Sequence, residues 1–523
     1  MDSKLFFIVL LVISSCSAPK KSTLDLLNCV PQNSVITFQL NDQNMLKNAI
    51  SNLPFLSDIL AIDTVIYKKI SAVIPAKFNN KALLSFTPVG KSEYAISFIY
   101  KAVLKDSLSG VMSEKIKYNN IPVNININKD TKTFVAKIED ISIISTSKLV
   151  IENSIRNIQN NQPGIQNHYY FDLAKISDDN APMNLIIHQD FKDVLSRFFA
   201  ETPLFPFTGS DWFSFDFNTK KDPFTLDGVS FINDSIPDVL SLLKGTGSKS
   251  LLSPEYVPHN FDGFLALAIK DYKALEDNFK QYSRYKNIAL TEINFDLLNT
   301  VDEISWLKAN NKKALFFHLN NNEKINPLLL SDDNVSNVFR GVRIRQQSLP
   351  KDLLKFIAAY GTPVFPKWTI QIDDFVIMAE DDSFLKQIIS ARLDGKTLGN
   401  DFNFKKMQDG LADNSSFLWV GKTKNLTNLW YEAFKNKSIG WKKIDLTKYP
   451  LVALQGISED GFVQTRFTAQ INNVDQNKNS VTNQYSFSLD AAAAGPAKWI
   501  KNHRNKTMDI VVQDQNNVLY LFS

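Results

Sequence analysis

Cysteine is nearly absent: of 523 residues only Cys16 and Cys29 are cysteines, so a disulfide-stapled scaffold and a zinc site built from four thiolates are both excluded. Histidine is scarce as well. The five, His168, His188, His259, His318 and His503, include no H-x-x-x-H pair of the kind that presents two ligands on one helical face. Charge of one sign is never concentrated, since 58 basic residues stand against 54 acidic ones for a formal charge of +4. Nucleic-acid binding therefore has no electrostatic footprint. Long apolar runs are missing after the first residues, so no segment reaches the roughly 20 residues needed to span a bilayer. A G-x-S-x-G nucleophile elbow is absent too. The stretch Lys244, Gly245, Thr246, Gly247, Ser248, Lys249, Ser250 lacks the G-x4-G-K-[ST] spacing of a phosphate loop and reads as a flexible junction. Gly90, Lys91, Ser92 fails likewise, because Ser85 stands where the first loop glycine belongs.

What is present begins at the N-terminus. A short polar stretch with Lys4 precedes Leu5, Phe6, Phe7, Ile8, Val9, Leu10, Leu11, Val12 and Ile13, the layout of a secretory signal peptide. The tetrad Ile13, Ser14, Ser15, Cys16 resembles the lipobox of bacterial lipoproteins. That resemblance implies cleavage before Cys16, a diacylglycerol thioether on its sulfur and an acyl group on its new amino terminus. Several chains hold a protein on a membrane at about 0.8 kcal/mol per buried methylene, where one alone holds reversibly. Ser17, Ala18, Pro19, Lys20, Lys21, Ser22 and Thr23 follow as a polar tether. By resemblance to Gram-negative sorting rules, Ser17 in place of Asp favours the outer membrane, and the periplasmic face is expected. Once Cys16 carries lipid, Cys29 has no partner within the chain and reads as a small buried residue.

The length calls for two or more domains, and an internal repeat supplies them. Phe134 to Ser145 and Trp368 to Ala379 match at an offset of about 234: Phe134 with Trp368, Ala136 with Ile370, Ile138 with Ile372, Ile141 with Phe375 and Ile143 with Ile377, with Glu139 and Asp140 against Asp373 and Asp374. Alternation around an acidic pair predicts a β-hairpin with one face buried. A helical stretch follows each copy, through Leu149, Ile151, Ile155 and Ile158 and through Phe384, Leu385, Ile388 and Ile389. The same offset relates Asp179 and Asn180 to Asp413 and Asn414. Val30, Pro31, Gln32, Asn33 opens the first copy and Val257, Pro258, His259, Asn260 the second, each followed by a strand and a helix. Asp222, Pro223, Phe224 and Asp460, Gly461, Phe462 close them.

The expected fold is α+β: two tandem related halves, each a largely antiparallel sheet covered on one face by helices, followed by a short all-β fragment. Residues 1–15 form the signal peptide, 16–24 the lipidated tether, 25–245 the first half, 246–475 the second, and 476–523 a linker and the terminal fragment. The paired halves resemble a widespread exported bacterial class opening on a V-P-x-N-like motif, with which no established activity comes. In the last segment Tyr485 to Leu489, Met508 to Gln513 and Val518 to Phe522 read as strands, with Gly495 to Trp499 turning the chain. The pattern D-x-x-N-x-L-Y-L from Asp514 to Leu521 resembles one blade of quinoprotein-like or WD-type β-propellers. One blade cannot close a propeller, which needs about four to eight. Either the natural protein is longer or this fragment pairs with another sheet.

No catalytic constellation stands out. Glu139 with Asp140 and Asp373 with Asp374 read as solvated hairpin turns before they read as acid and base. Glu380, Asp381 and Asp382 read as a helix cap. Trp419, Trp430, Tyr431 and Phe434 have core spacing. Cys16 is the one residue assigned a chemical fate, with no cofactor and no metal expected. Three function classes remain. The first is a non-enzymatic envelope scaffold, bound to the membrane through Cys16 and to a protein partner. The second is a periplasmic carrier or sensor of an apolar ligand, and the third an enzyme of unrecognised type.

Overall fold

In the computed structural model the described residues are 25–45, 64–75, 81–90, 93–101, 112–128, 131–190, 211–218, 224–289, 298–320, 335–423, 449–470, 489–503 and 508–522, apart from a few single positions within and beside these ranges. The signal peptide, Cys16 and its tether lie outside them. So do Asp222, Pro223, Trp430, Tyr431, Phe434, and Tyr485 through Ser488.

Among the described residues the fold is α+β and is built on one antiparallel sheet of twenty strands. The first ten are β1 (Ile36–Leu40), β2 (Ala82–Val89), β3 (Glu93–Lys101), β4 (Met112–Tyr118), β5 (Ile121–Asn128), β6 (Thr131–Ile138), β7 (Ile141–Ser145), β8 (Met183–His188), β9 (Trp212–Phe217) and β10 (Phe224–Phe231). The next ten are β11 (Gly263–Ala268), β12 (Val301–Ala309), β13 (Lys312–Leu319), β14 (Val335–Phe339), β15 (Val342–Gln346), β16 (Trp368–Ile372), β17 (Phe375–Ala379), β18 (Phe417–Lys422), β19 (Leu451–Ser458) and β20 (Phe462–Ala469). Their order in space, edge to edge, is β4, β5, β6, β7, β3, β2, β1, β8, β9, β10, β20, β19, β18, β11, β12, β13, β17, β16, β15, β14. The first run's pairings recur in the second with every strand number raised by ten, and β10 meets β20 at the centre. There Phe224 faces Ala469 and Phe231 faces Phe462. Gly228 permits the close approach, since a Cβ on it would lie 2.3 Å from the Ser214 carbonyl oxygen and 2.8 Å from Thr465 Oγ1.

The helices are α1 (Thr64–Val73), α2 (Lys148–Gln159), α3 (His168–Ile176), α4 (Tyr272–Tyr285), α5 (Lys351–Tyr360), α6 (Asp382–Leu393) and α7 (Phe402–Gln408). Short polar side chains start most of them, as Ncap oxygens satisfy amides that the first turn leaves open. Asn167 accepts from the Tyr169 amide at 2.9 Å, Asp381 from Ser383 at 2.8 Å and Asp401 from Asn403 at 2.8 Å.

The hairpins form as the sequence predicts, β6 with β7 and β16 with β17, each turning at its acidic pair. Glu139 and Asp373 take the left-handed conformation there, at φ 53° and 50°. Burial differs from the expectation of one covered face. Along β3, Ile99 packs with α2 and α3, while Ile96, Phe98 and Tyr100 pack on the opposite face beneath Val73 of α1. In the second run Phe316 lies with α6 and α7, and Leu315 and Phe317 lie with α4 and α5. Helices therefore cover both faces, and strands such as β7 are buried on both sides along their whole length. Each large side chain so buried contributes roughly 1.5–3 kcal/mol, so the second face stabilises the sheet about as much as the first.

The two V-P-x-N motifs each make a turn, with Asn33 at a positive φ of 65° in the first and no such residue in the second. Val30 and Val257 are fully buried, and the carbonyls of Pro31 and Pro258 accept from the amides of Ser34 and Phe261, three residues on, at 3.1 and 3.2 Å. The stretch 244–250, flexible by composition, is instead packed. Thr246 is fully buried, its carbonyl accepts from the Lys270 amide at 2.9 Å, and Gly245 and Gly247 supply the positive φ this path needs.

A separate three-stranded sheet closes the described chain: β21 (Lys498–Lys501), β22 (Met508–Gln513) and β23 (Leu519–Phe522). Lys498 and Trp499, expected in a turn, begin β21. The Asp514 carboxylate binds its own turn, accepting from the amides of Asn516 and Val518 at 2.9 and 2.8 Å and from the Tyr520 hydroxyl at 3.0 Å. That is what the D-x-x-N-x-L-Y spacing accomplishes.

Candidate functional site

The Cys16 lipidation site lies outside the described residues. Cys29 lies on a 3-10 turn (Leu26–Cys29), and burial, with Asp25, Asp140 and Glu139 adding to it, pushes its thiol up to about 12. A thiol so protonated is a poor nucleophile at neutral pH.

Asp373 binds the turn to the helix layer by accepting from the Tyr256 hydroxyl at 2.9 Å and from Arg392 at 3.0 Å, while the Arg392 guanidinium stacks 4.4 Å from the Tyr256 ring. Burial and the bond to Asp373 both raise the Tyr256 phenol above its ordinary range. Asp381 caps α6 as expected. Its bond from the Ser383 amide, aided by Lys312, holds it below the usual carboxylate range.

Two polar clusters were not foreseen. The first gathers at the start of β12, where the register shifts between Val301 and Glu303. Asp302 there meets Lys249 Nζ at 2.8 Å and His318 Nδ1 at 2.5 Å. Burial would raise Asp302, but the bonds from His318 and Lys249 outweigh it and hold the carboxyl low. Its neighbour Glu303 is fully buried and accepts from the amides of Leu252 and Ser253, at 2.8 and 3.0 Å, and from the Ser253 hydroxyl. Both groups act to fix the entry into the second run of strands. Adjacent carboxylates opening an apolar strand were the available signal, but their partners lie 16 to 53 positions away.

The second cluster lies where β8 meets β9. His188 Nδ1 accepts from the Asp190 amide at 3.2 Å, which leaves the Nε2 hydrogen facing Asp211 Oδ1 at 3.3 Å. The His188 bond is the largest influence holding Asp211 low, and Asn167 and Gln189 also donate to it. The ring lies 4.8 Å from Trp212. The geometry can orient a histidine, and among the described residues no member of the cluster is a nucleophile: its members are Asn167, Gln189, Asp190, Asp211 and Trp212. His318 is in the first cluster, His259 is half-buried and lowered by burial and Lys422, and His168 lies against Tyr169. Among the described residues no three His, Cys, Asp or Glu side chains converge to hold a metal, and no helix is long and apolar enough to cross a membrane.

Two cavities have charged linings. One of about 360 Å3 lies between α6 and Pro258–Asn260, with Lys386, Asp394 and Lys396 on its walls. The other, of about 620 Å3, includes Asp234, Lys244 and Asp460.

No protein-family model matches the chain, and no curated protein matches it. Among solved structures, those titled crystal forms I and III of TP0453 align at 12% and 13% identity. They cover 40% and 44% of this chain and 79% and 91% of theirs, with TM-scores of 0.26 and 0.24. Likeness at that level carries no argument about fold or activity.

Proposed function

We propose that this chain is a non-enzymatic envelope lipoprotein, anchored through lipid on Cys16 to the periplasmic face of the outer membrane, and that it holds a protein partner by its C-terminal sheet. The anchor rests on Ile13, Ser14, Ser15 and Cys16 with the apolar run before them. In the same reading the body arose by duplication into two related halves, which the constant offset near 234 and the recurring order of strand pairing support.

One observation carries the partner reading. In the sheet of residues 498–522 apolar side chains stand open on both faces: Trp499 and Leu519 are each 66% exposed, and Leu521 on β23 is 55% exposed. Trp499 shares a face with Ile510, and Leu521 shares the other with Val511. Surface of this kind is costly to leave in water and marks a binding face. A blade of the propeller type, which this segment resembles, buries both faces against neighbouring sheets. The carrier reading gains little from the two cavities, since each carries charged side chains on its walls, Lys386, Asp394 and Lys396 in one and Asp234, Lys244 and Asp460 in the other.

Two measurements test the proposal. Cys16→Ser should abolish metabolic lipid labelling and release the protein from the membrane, and unchanged retention sinks the anchor. Affinity capture from the envelope should recover one reproducible protein with the intact chain and lose it when the residues after Val474 are removed. Recovery by both chains, or by neither, sinks the partner.

A further inference from the structure

We infer that the layer between the first run of strands and α3 is a binding site for one internal water molecule, held by the hydroxyls of Thr37, Ser85 and Tyr170. Thr37 on β1 and Ser85 on β2 stand directly opposite each other, and side chains so paired share a face with Cβ atoms about 5 Å apart. It is the face that α2 and α3 cover, where Leu83 of β2 lies in one core with Tyr170. Burial raises the Tyr170 phenol above its ordinary range, and Thr37 is close enough to work against that rise. All three side chains are fully buried, yet none of the three hydroxyls makes a hydrogen bond of proper geometry among the described residues.

The hydroxyls on either side do pair directly. Ser34 meets Thr87 at 2.7 Å, and Ser97 donates to Ser145 at 2.9 Å. Strand register sets Ser145, Ser97, Ser85 and Thr37 in one row across β7, β3, β2 and β1, and the row is satisfied at its β7 end only. A buried hydroxyl left unpaired is a standing cost. One water, which commonly makes about three hydrogen bonds inside a protein, removes three such costs at once.

The second run of strands shows that this position in the fold does not itself call for hydroxyls. Ala379 stands 234 positions after Ser145, and the row that pairs from it runs through Ala314, Leu307 and Phe264. Phe404 on α7 stands 234 positions after Tyr170. These five apolar residues lie in one buried core. Thr37, Ser85 and Tyr170 are thus matched by Phe264, Leu307 and Phe404, so the hydroxyls are present together in one run and absent together in the other. Groups that serve a common ligand behave this way. An ion is a poorer occupant, since hydroxyls alone bring no charge to compensate one taken out of water.

Two measurements on the full chain carrying Cys16→Ser test the assignment. A high-resolution crystal structure should show one water oxygen within about 3 Å of Thr37 Oγ1, Ser85 Oγ and Tyr170 Oη. Three hydroxyls with no water between them overturn it. Thermal denaturation then compares Thr37→Val, Ser85→Ala and Tyr170→Phe. Each should lower the midpoint by about 1–2 °C in a chain of this length, because the bound water loses one of its partners. The triple variant should lose less than the three single losses added together, because no polar group is then left to be served. A hydroxyl with no water is better removed, so midpoints that rise or stay unmoved overturn the assignment, as do strictly additive losses.

Discussion

Asp227 on β10 and Arg466 on β20 face each other across the central strand pair, the arginine Nε donating to the aspartate and its Nη1 to the Gly410 carbonyl at 3.0 Å. Each side chain is about two-fifths exposed, so solvent screens the pair, and Arg466→Ala should cost no more than about 1 kcal/mol. Gly228 beside it is another matter. A side chain there meets backbone on β9 and a hydroxyl on β20, so Gly228→Val should cost about 3 kcal/mol or more in urea denaturation. A cost below that of Arg466→Ala would show that the seam is looser than its geometry.

Glu303 is the buried acceptor for two amides that otherwise have no partner in place. Glu303→Ala should lose roughly 1–3 kcal/mol for each amide stranded, and Glu303→Gln, which keeps one acceptor oxygen, should lose less. The ranking of the two midpoints in chemical denaturation checks this.

Asp302 predicts an acid limb in stability. Its folded carboxyl titrates below the ordinary value of about 3.9, so its contribution is present above that value and is lost as pH falls through the folded one. Asp302→Asn should flatten the melting temperature below about pH 4 and leave its slope at pH 6 unchanged. Lys249→Met should move the limb to higher pH, since one of the two bonds that hold the carboxyl low is gone. A limb that stays put excludes Lys249 from that role.

Asp238 acts in the other direction. It lies in the connection after β10, where burial raises its carboxyl to about 7 although it accepts from the Ser241 amide at 2.9 Å. The folded state therefore holds a proton that the unfolded state has released. Stability is full below about pH 4 and declines as pH rises to about 7. Asp238→Asn should remove that decline, and melting curves at pH 4.5 and 7.5 would show whether the difference between them shrinks.

The hairpins at 134–145 and 368–379 were readable because their apolar positions and turn residues are local: an acidic pair where the chain must reverse, and a short polar side chain where a helix must begin. The V-P-x-N openings were readable as a repeat, and the turn each makes is closed locally, from Pro31 to Ser34 and from Pro258 to Phe261. The second helix layer was missed. A strand with apolar residues on both sides has no alternation to mark which side packs, and Ile96 and Ile99 look alike until α1 and α2 are set on opposite faces. The stretch 244–250 was misread because composition records freedom to bend and not the contacts that remove it, as those of Thr246 do.

By itself the sequence determined the hairpins at 134–145 and 368–379 and the helices that follow them, which depend on residues a few positions apart. Only the tertiary structure decided that β10 and β20 join the runs into one sheet, that helices cover both faces, and that acidic residues from three separate segments line one cleft. Those outcomes depend on contacts between residues tens to hundreds of positions apart, and nothing local in the chain encodes them.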